Sequence, residues 1–136
     1  LAKYYVPEPE TRAVQTRFDA ADAVWASELA RTELMAVFHR RFREKKWSES
    51  IFRTVVRQFQ LDDTAGLWRW TPLSAEITRE AAQVFTGLPR TVFLRASDCI
   101  HLVSARQSGF EEIHTHDRHQ IAAAEWMKLK AMTIED

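Results

Sequence analysis

A single cysteine, Cys99, stands among the 136 residues, so no intramolecular disulfide can staple the chain and its fold has to rest on buried surface. Glycine and proline are scarce, at three and four residues, which excludes collagen-like and low-complexity classes. Charge of one sign is lacking too: nineteen basic residues offset nineteen acidic ones. Any charged partner must then be met by a local patch, because no global field draws it in. No stretch approaches the roughly 18 uncharged apolar residues of a membrane span. Leu1 is followed by Lys3, Pro7 and Glu8, not by the apolar segment of a signal peptide. The chain therefore reads as soluble and cytoplasmic, with no membrane partner. Its first residue is not Met, which points to a natural start upstream. What it does have is apolar content, 46% hydrophobic residues with five Trp, two Tyr and eight Phe. That is enough for one core, and 15.8 kDa leaves no room for a second, so residues 1–136 read as a single domain.

Thr11, after the Pro-rich VPEPE, reads as the cap of a short amphipathic helix reaching Asp19. Ala23 to Ala26 is a brief apolar run, expected as a buried strand whose following Ser27 caps the next helix. That helix runs from Glu28 to about Lys45 with Leu34, Met35, Phe38 and Phe42 on one broad face. A Ser48 cap opens another, striped by Ile51, Val55, Phe59 and Ala65 and stopped at Gly66. Trp68 to Leu73 is the next strand, and Ser74 caps a helix that Gly87, Leu88 and Pro89 end. Leu94 to Gln107 is a helix closed by Gly109, Glu112 to His116 a strand, Arg118 to Lys128 a helix, and Ala131 to Ile134 the last strand. Strands separated by helices predict an α/β fold with a mostly parallel sheet, since parallel neighbours need crossovers. Ligand sites of such folds lie beyond the carboxyl ends of the strands.

Three acids stand where a bare acid is costly. Glu33 falls between Leu29 and Val37 at the edge of a face that wants burial; Asp98 shares a stripe with Leu102 and Ala105 in the first turn of its helix; Asp117 directly follows the strand EIHTH. Each has an ordinary explanation as a rim, helix-start or capping residue. Together they would make a hard-oxygen set suited to Mg²⁺ or Mn²⁺.

The opening LAKYYVPEPE, the ASELARTEL around Glu33, LRASDCIHLVSA around Asp98 and HTHD ending at Asp117 together resemble the PIN-domain family, in particular the VapC-type toxins of toxin–antitoxin pairs. LRASDCIHLVSA is the most specific piece. The resemblance implies a PIN-like α/β/α sandwich around a five-stranded, mostly parallel sheet. It also implies a metal-dependent endoribonuclease that cleaves single-stranded RNA with Mg²⁺ or Mn²⁺, a cognate antitoxin as partner, and a homodimer. Carried over, Glu33, Asp98 and Asp117 match three of the family's catalytic and metal-binding acids, and Lys3, Arg90 and Arg95 fall near the acidic cluster as substrate contacts. A fourth family acid ends a first, central strand, which here would lie before Leu1; without it the sheet would be left in two halves. The family also often has a glycine near Met127, and here that turn must be made without one.

His114, His116, Asp117 and His119 cluster at the spacing of a zinc site if His114 and His116 share a strand face, though Asp117 is explained without zinc. His101 and Cys99 read as scaffold. The run Arg40, Arg41, Arg43, Lys45, Lys46 is either an RNA-phosphate patch or, the favoured reading, a helix end whose cations complement the dipole. Trp25, Trp68 and Trp70 read as core or interface, and the Phe-rich half of the long helix pair as a groove for an antitoxin. The leading expectation is a ribonuclease. Its rival is a PIN fold that binds RNA or protein without cutting.

Overall fold

Helix starts are set by short polar side chains that accept from otherwise unpaired amides. Ser48 Oγ accepts from the Ile51 amide at 3.1 Å and Ser74 Oγ from the Ile77 amide at 3.2 Å, as their positions before apolar-striped segments predict. In the computed structural model, which describes residues 1–134, the elements are α1 (Ala2–Tyr5), α2 (Thr11–Asp19), β1 (Val24–Ser27), α3 (Leu29–Arg43), α4 (Glu49–Thr64), β2 (Trp68–Thr71), α5 (Ala75–Gly87), α6 (Ala96–Gln107), β3 (Glu112–His114), α7 (Arg118–Trp126) and β4 (Lys130–Met132). The chain is α/β, with the predicted order of elements and one addition. That addition, α1, is a single turn too short to show a period, and Pro7 ends it by forcing Val6 into the extended region (φ −102°, ψ 119°). Thr11 is not the cap of α2. Its hydroxyl accepts from the Glu8 amide and donates to the Val6 carbonyl, so it braces the preceding loop while Glu10 takes the cap position.

The helix ends repeat one device. At the close of α3, α4, α6 and α7 the chain turns through a left-handed residue, and two amides reach back to the last helical carbonyls. For α4 and α6 that residue is Gly66 and Gly109, both at φ 79°. For α3 and α7 it is Lys45 (φ 58°) and Lys128 (φ 63°). At α7 the Lys128 amide bonds Glu125 O at 3.0 Å and the Leu129 amide bonds Ala124 O at 2.8 Å, which makes the glycine-free turn that the sequence requires before the last strand. A left-handed lysine costs about 1 kcal/mol or more. Lys128→Gly is therefore expected to raise stability by up to about 1 kcal/mol, less the extra entropy of an unfolded glycine; urea denaturation would show it as a higher midpoint at unchanged slope.

Where the resemblance implies five strands in one sheet, the described residues hold four, in two pairs. β1 pairs with β2, and β3 pairs parallel to β4 in the register Glu112–Lys130, Ile113–Ala131, His114–Met132. Each pair joins strands linked by their own helical crossover: α3 and α4 for the first, α7 for the second.

Main-chain contacts divide the chain into two units. The first comprises residues 1–25 and 30–69, and the second residues 26–29 and 70–134. The core of the first is aromatic. Tyr5 meets Phe38, Phe59 and Trp68 edge-on at ring separations of 5.7, 5.8 and 6.0 Å, and its hydroxyl accepts from Trp68 Nε1 while donating to Asp62. Burial and the Asp62 carboxylate both push the Tyr5 phenol far up, so it stays a donor at any ordinary pH. Phe38 and Leu34 are buried, as α3's pattern predicts, and Val6 is buried at the end of α1. In α4 the buried side runs through the half-buried Phe52, Val55 and Val56 to Phe59; Ile51, expected on that stripe, is 47% exposed. Trp68 is buried and Trp70 half-buried, whereas Trp25 is exposed.

The second unit is aliphatic. Cys99, Leu102 and Val103 of α6 pack with Ile77, Ala81 and Val84 of α5 and with the Ala123–Ala124 pair of α7. The buried face of α6 is centred on Cys99 and Leu102, which places Asp98 at its margin.

Candidate active site

In the second unit the chemistry-bearing residues gather at the starts of two helices. The β3–β4 ladder continues one step past His114, where the Thr115 amide donates to Met132 O at 3.0 Å. There the Thr115 hydroxyl accepts from the Asp117 amide at 3.1 Å and turns the chain out of the sheet. The strand thus stops before His116, whose Nε2 lies 2.6 Å from Ile134 O. The alternation that would set His114 and His116 on one strand face is lost.

Asp117 becomes the N-cap of α7. Its Oδ1 accepts from the amides of His119 at 2.8 Å and Gln120 at 3.3 Å, and Oδ2 lies 3.7 Å from the Arg95 guanidinium. Two main-chain donors and a nearby cation favour the carboxylate, and its pKa falls below the usual range, the His119 amide contributing most. The ordinary reading as a cap and the reading as a charged site residue are thus one geometry. An acid held this way at neutral pH can face a cation or accept from water, but it has no proton to donate. Asp117→Ala is expected to cost about 1 kcal/mol at neutral pH. A carboxyl with a lowered folded pKa stabilises above its unfolded value of about 3.9, and that contribution fades as pH falls through the folded value. The gap between parent and variant should therefore narrow in urea titrations as the pH is lowered below the unfolded value of about 3.9.

Asp98 lies half-buried in the first turn of α6, three residues after Arg95, the N-cap of that helix. Arg95, 63% exposed, thereby ties the helix start bearing Asp98 to the helix start bearing Asp117. Arg90 is exposed in the preceding loop, which turns through a 2.9 Å bond from the Val92 amide to Pro89 O. In that loop Phe93 is exposed, and its ring meets His119 edge-on at 5.0 Å. Neither the pair nor Phe93 is evident from the sequence pattern; the one signal was a phenylalanine outside any periodic stripe, between two arginines.

Glu33 belongs to the first unit. It is half-buried in α3, in the row Leu29, Glu33, Val37 that flanks the buried Leu34 and Phe38, so its rim position is as the wheel predicts. Lys3, in α1, is held in an ion pair by Glu10. Of the basic run, Arg40, Arg41 and Arg43 close the last turn of α3, where cations suit the dipole, and Arg41 pairs with Glu8 at 3.0 Å.

Cys99 is buried, its thiol 3.5 Å from Ala81 O, and burial pushes its pKa up to about 11. It is core, not a nucleophile. Carboxylates such as Glu33, Asp98 and Asp117 have the hard-oxygen chemistry that Mg²⁺ or Mn²⁺ takes. Yet among the described residues no three His, Cys, Asp or Glu side chains are grouped so as to hold a metal ion. Also among the described residues, no helix is long and apolar enough to cross a membrane.

No curated protein matches this sequence. A family profile described as PIN domain matches residues 1–125, which takes in α1 to α6, β3 and nearly all of α7. Members of that family are generally nucleases that bind nucleic acid and use divalent metal ions. A match over more than nine-tenths of the chain, on an α/β framework with acids at the starts of α6 and α7, means that this chain belongs to the PIN-domain family.

Proposed function

We propose that this chain is a metal-dependent endoribonuclease that cleaves single-stranded RNA in the cytoplasm, with Glu33, Asp98 and Asp117 as its catalytic and metal-holding acids and Mg²⁺ or Mn²⁺ as the ion. On this reading it is a VapC-type toxin of a type II toxin–antitoxin pair, acting as a homodimer, and the two units work as one domain because the family match runs through both. The observation that carries it is the pairing of helix starts: Asp98 one turn from Arg95, and Arg95 3.7 Å from an Asp117 whose Oδ1 caps α7. LRASDCIHLVSA supports the toxin subfamily. For the antitoxin, the Phe42–Phe52 stack between α3 and α4, 5.1 Å ring to ring with Ile51 exposed nearby in α4, supports an apolar seat. The same reading retains Arg90, Arg95 and Lys3 as substrate contacts, Lys3 by exchanging Glu10 for a phosphate.

The test is cleavage of a labelled single-stranded RNA in Mn²⁺ by the parent beside its Asp98→Asn variant. Cutting by the parent alone is expected, and equal activity in both would sink the assignment. A second reading, a PIN fold that holds RNA or protein without cutting, is favoured by the lack of a three-ligand metal group among the described residues. It predicts RNA retention with no Mn²⁺ binding by calorimetry.

A further inference from the structure

An exposed phenyl ring in a loop has no folding reason to be there, since leaving it in water forfeits roughly 2 kcal/mol of burial. Phe93 is such a ring, 56% exposed in the segment between α5 and α6. It is also held in place. His119 meets it edge-on at 5.0 Å and 75°, and the His119 amide is itself fixed by Asp117 Oδ1 at 2.8 Å. Arg118 Nε lies 3.4 Å from His119 Nε2, Arg95 approaches Asp117 at 3.7 Å, and Arg90 sits three residues before Phe93. Two exposed arginines thus contact the residues that anchor this ring, Arg118 at His119 and Arg95 at Asp117, a third, Arg90, is exposed in the same loop, and the Asp117 carboxylate is turned onto the amides of α7.

We propose that Phe93, positioned by His119, is the platform on which one base of a single-stranded nucleic acid stacks beside Asp117, with Arg90, Arg95 and Arg118 taking the flanking phosphates. Charge decides the occupant. An apolar peptide would use the ring but gain nothing from three cations, whereas each nucleotide brings a flat apolar face and an anion together. A duplex is excluded because its bases offer no free face, and stacking of this kind tolerates any base. The inference deepens the nuclease reading and rests on it only for the fate of the strand; binding is separate.

Fluorescence anisotropy of a short fluorescein-labelled oligouridine, measured in EDTA so that cutting does not intervene, reads the platform directly. Phe93→Ala is expected to weaken binding on the order of tenfold. Phe93→Tyr should restore it, and Phe93→Leu, which keeps apolar bulk without a π-face, should not. Phe85→Ala, an exposed phenylalanine of α5, should bind as the parent does. Parent-like binding by the alanine or leucine variant overturns the platform, as does a parent that does not bind the strand. The two readings fail separately. A parent that binds through Phe93 yet never cuts in Mn²⁺ loses the nuclease and keeps the platform; one that cuts while Phe93→Ala binds unchanged does the reverse.

Discussion

Asp98→Asn should lower Mn²⁺-supported RNA cleavage by on the order of a hundredfold or more, because disturbing even the outer partners of a catalytic metal site costs about 10–100-fold. The substitution removes one negative charge and keeps size and shape. Asp98 stands at the margin of the α6 core face, in the first turn, where its charge contributes to the helix start. Losing that contribution costs about 0.3–1 kcal/mol, a small part of a domain's stability. A thermal melt close to the parent's, beside a collapsed cleavage rate, is the expected pair of results. A collapsed rate with a collapsed melt would show that Asp98 is only a structural residue.

Leu102→Ala should do the opposite, lowering stability by about 2–5 kcal/mol without touching a charged group. Leu102 is fully buried at the centre of the second unit, among Cys99, Val103, Ile77, Ala123 and Ala124. Truncation removes three carbons from contact with helices on both sides, and neighbours already as small as alanine cannot move in to fill the gap. The loss is a large share of the 5–15 kcal/mol that holds a typical domain, and a fall in melting temperature on the order of 10 °C is expected by calorimetry. A shift of only a degree or two would mean that the α5–α6–α7 core repacks freely.

Much of the framework was legible because its causes are local. Ser48 and Ser74 announce their helices by preceding apolar-striped segments, and each hydroxyl does accept from the amide three residues on. Gly66 and Gly109 mark two helix ends because the turn there is left-handed. Lys128 makes the same turn with no such signal. Thr11 sits where a cap is expected, but the same hydroxyl chemistry serves a cap or a loop, and only the position of Val6 O and the Glu8 amide selects the loop. The shortened β3 has a similar cause: the alternation of EIHTH continues, but the Thr115 hydroxyl captures the Asp117 amide and ends the strand.

The site divides the same way. Composition, the order of helices and strands, the rim placement of Glu33 and the first-turn placement of Asp98 follow from the sequence, since each depends on residues within a turn or two of one another. Family membership follows too, because LRASDCIHLVSA and HTHD keep their residues in order along the chain. What only the tertiary structure decided is which distant groups face each other: Arg95 against Asp117, Phe93 against His119, Lys3 held by Glu10. The first two pairings depend on how α6 and α7 pack over a shared aliphatic core, the third on how the chain turns between α1 and α2. Periodicity along one segment carries no record of such distances between segments.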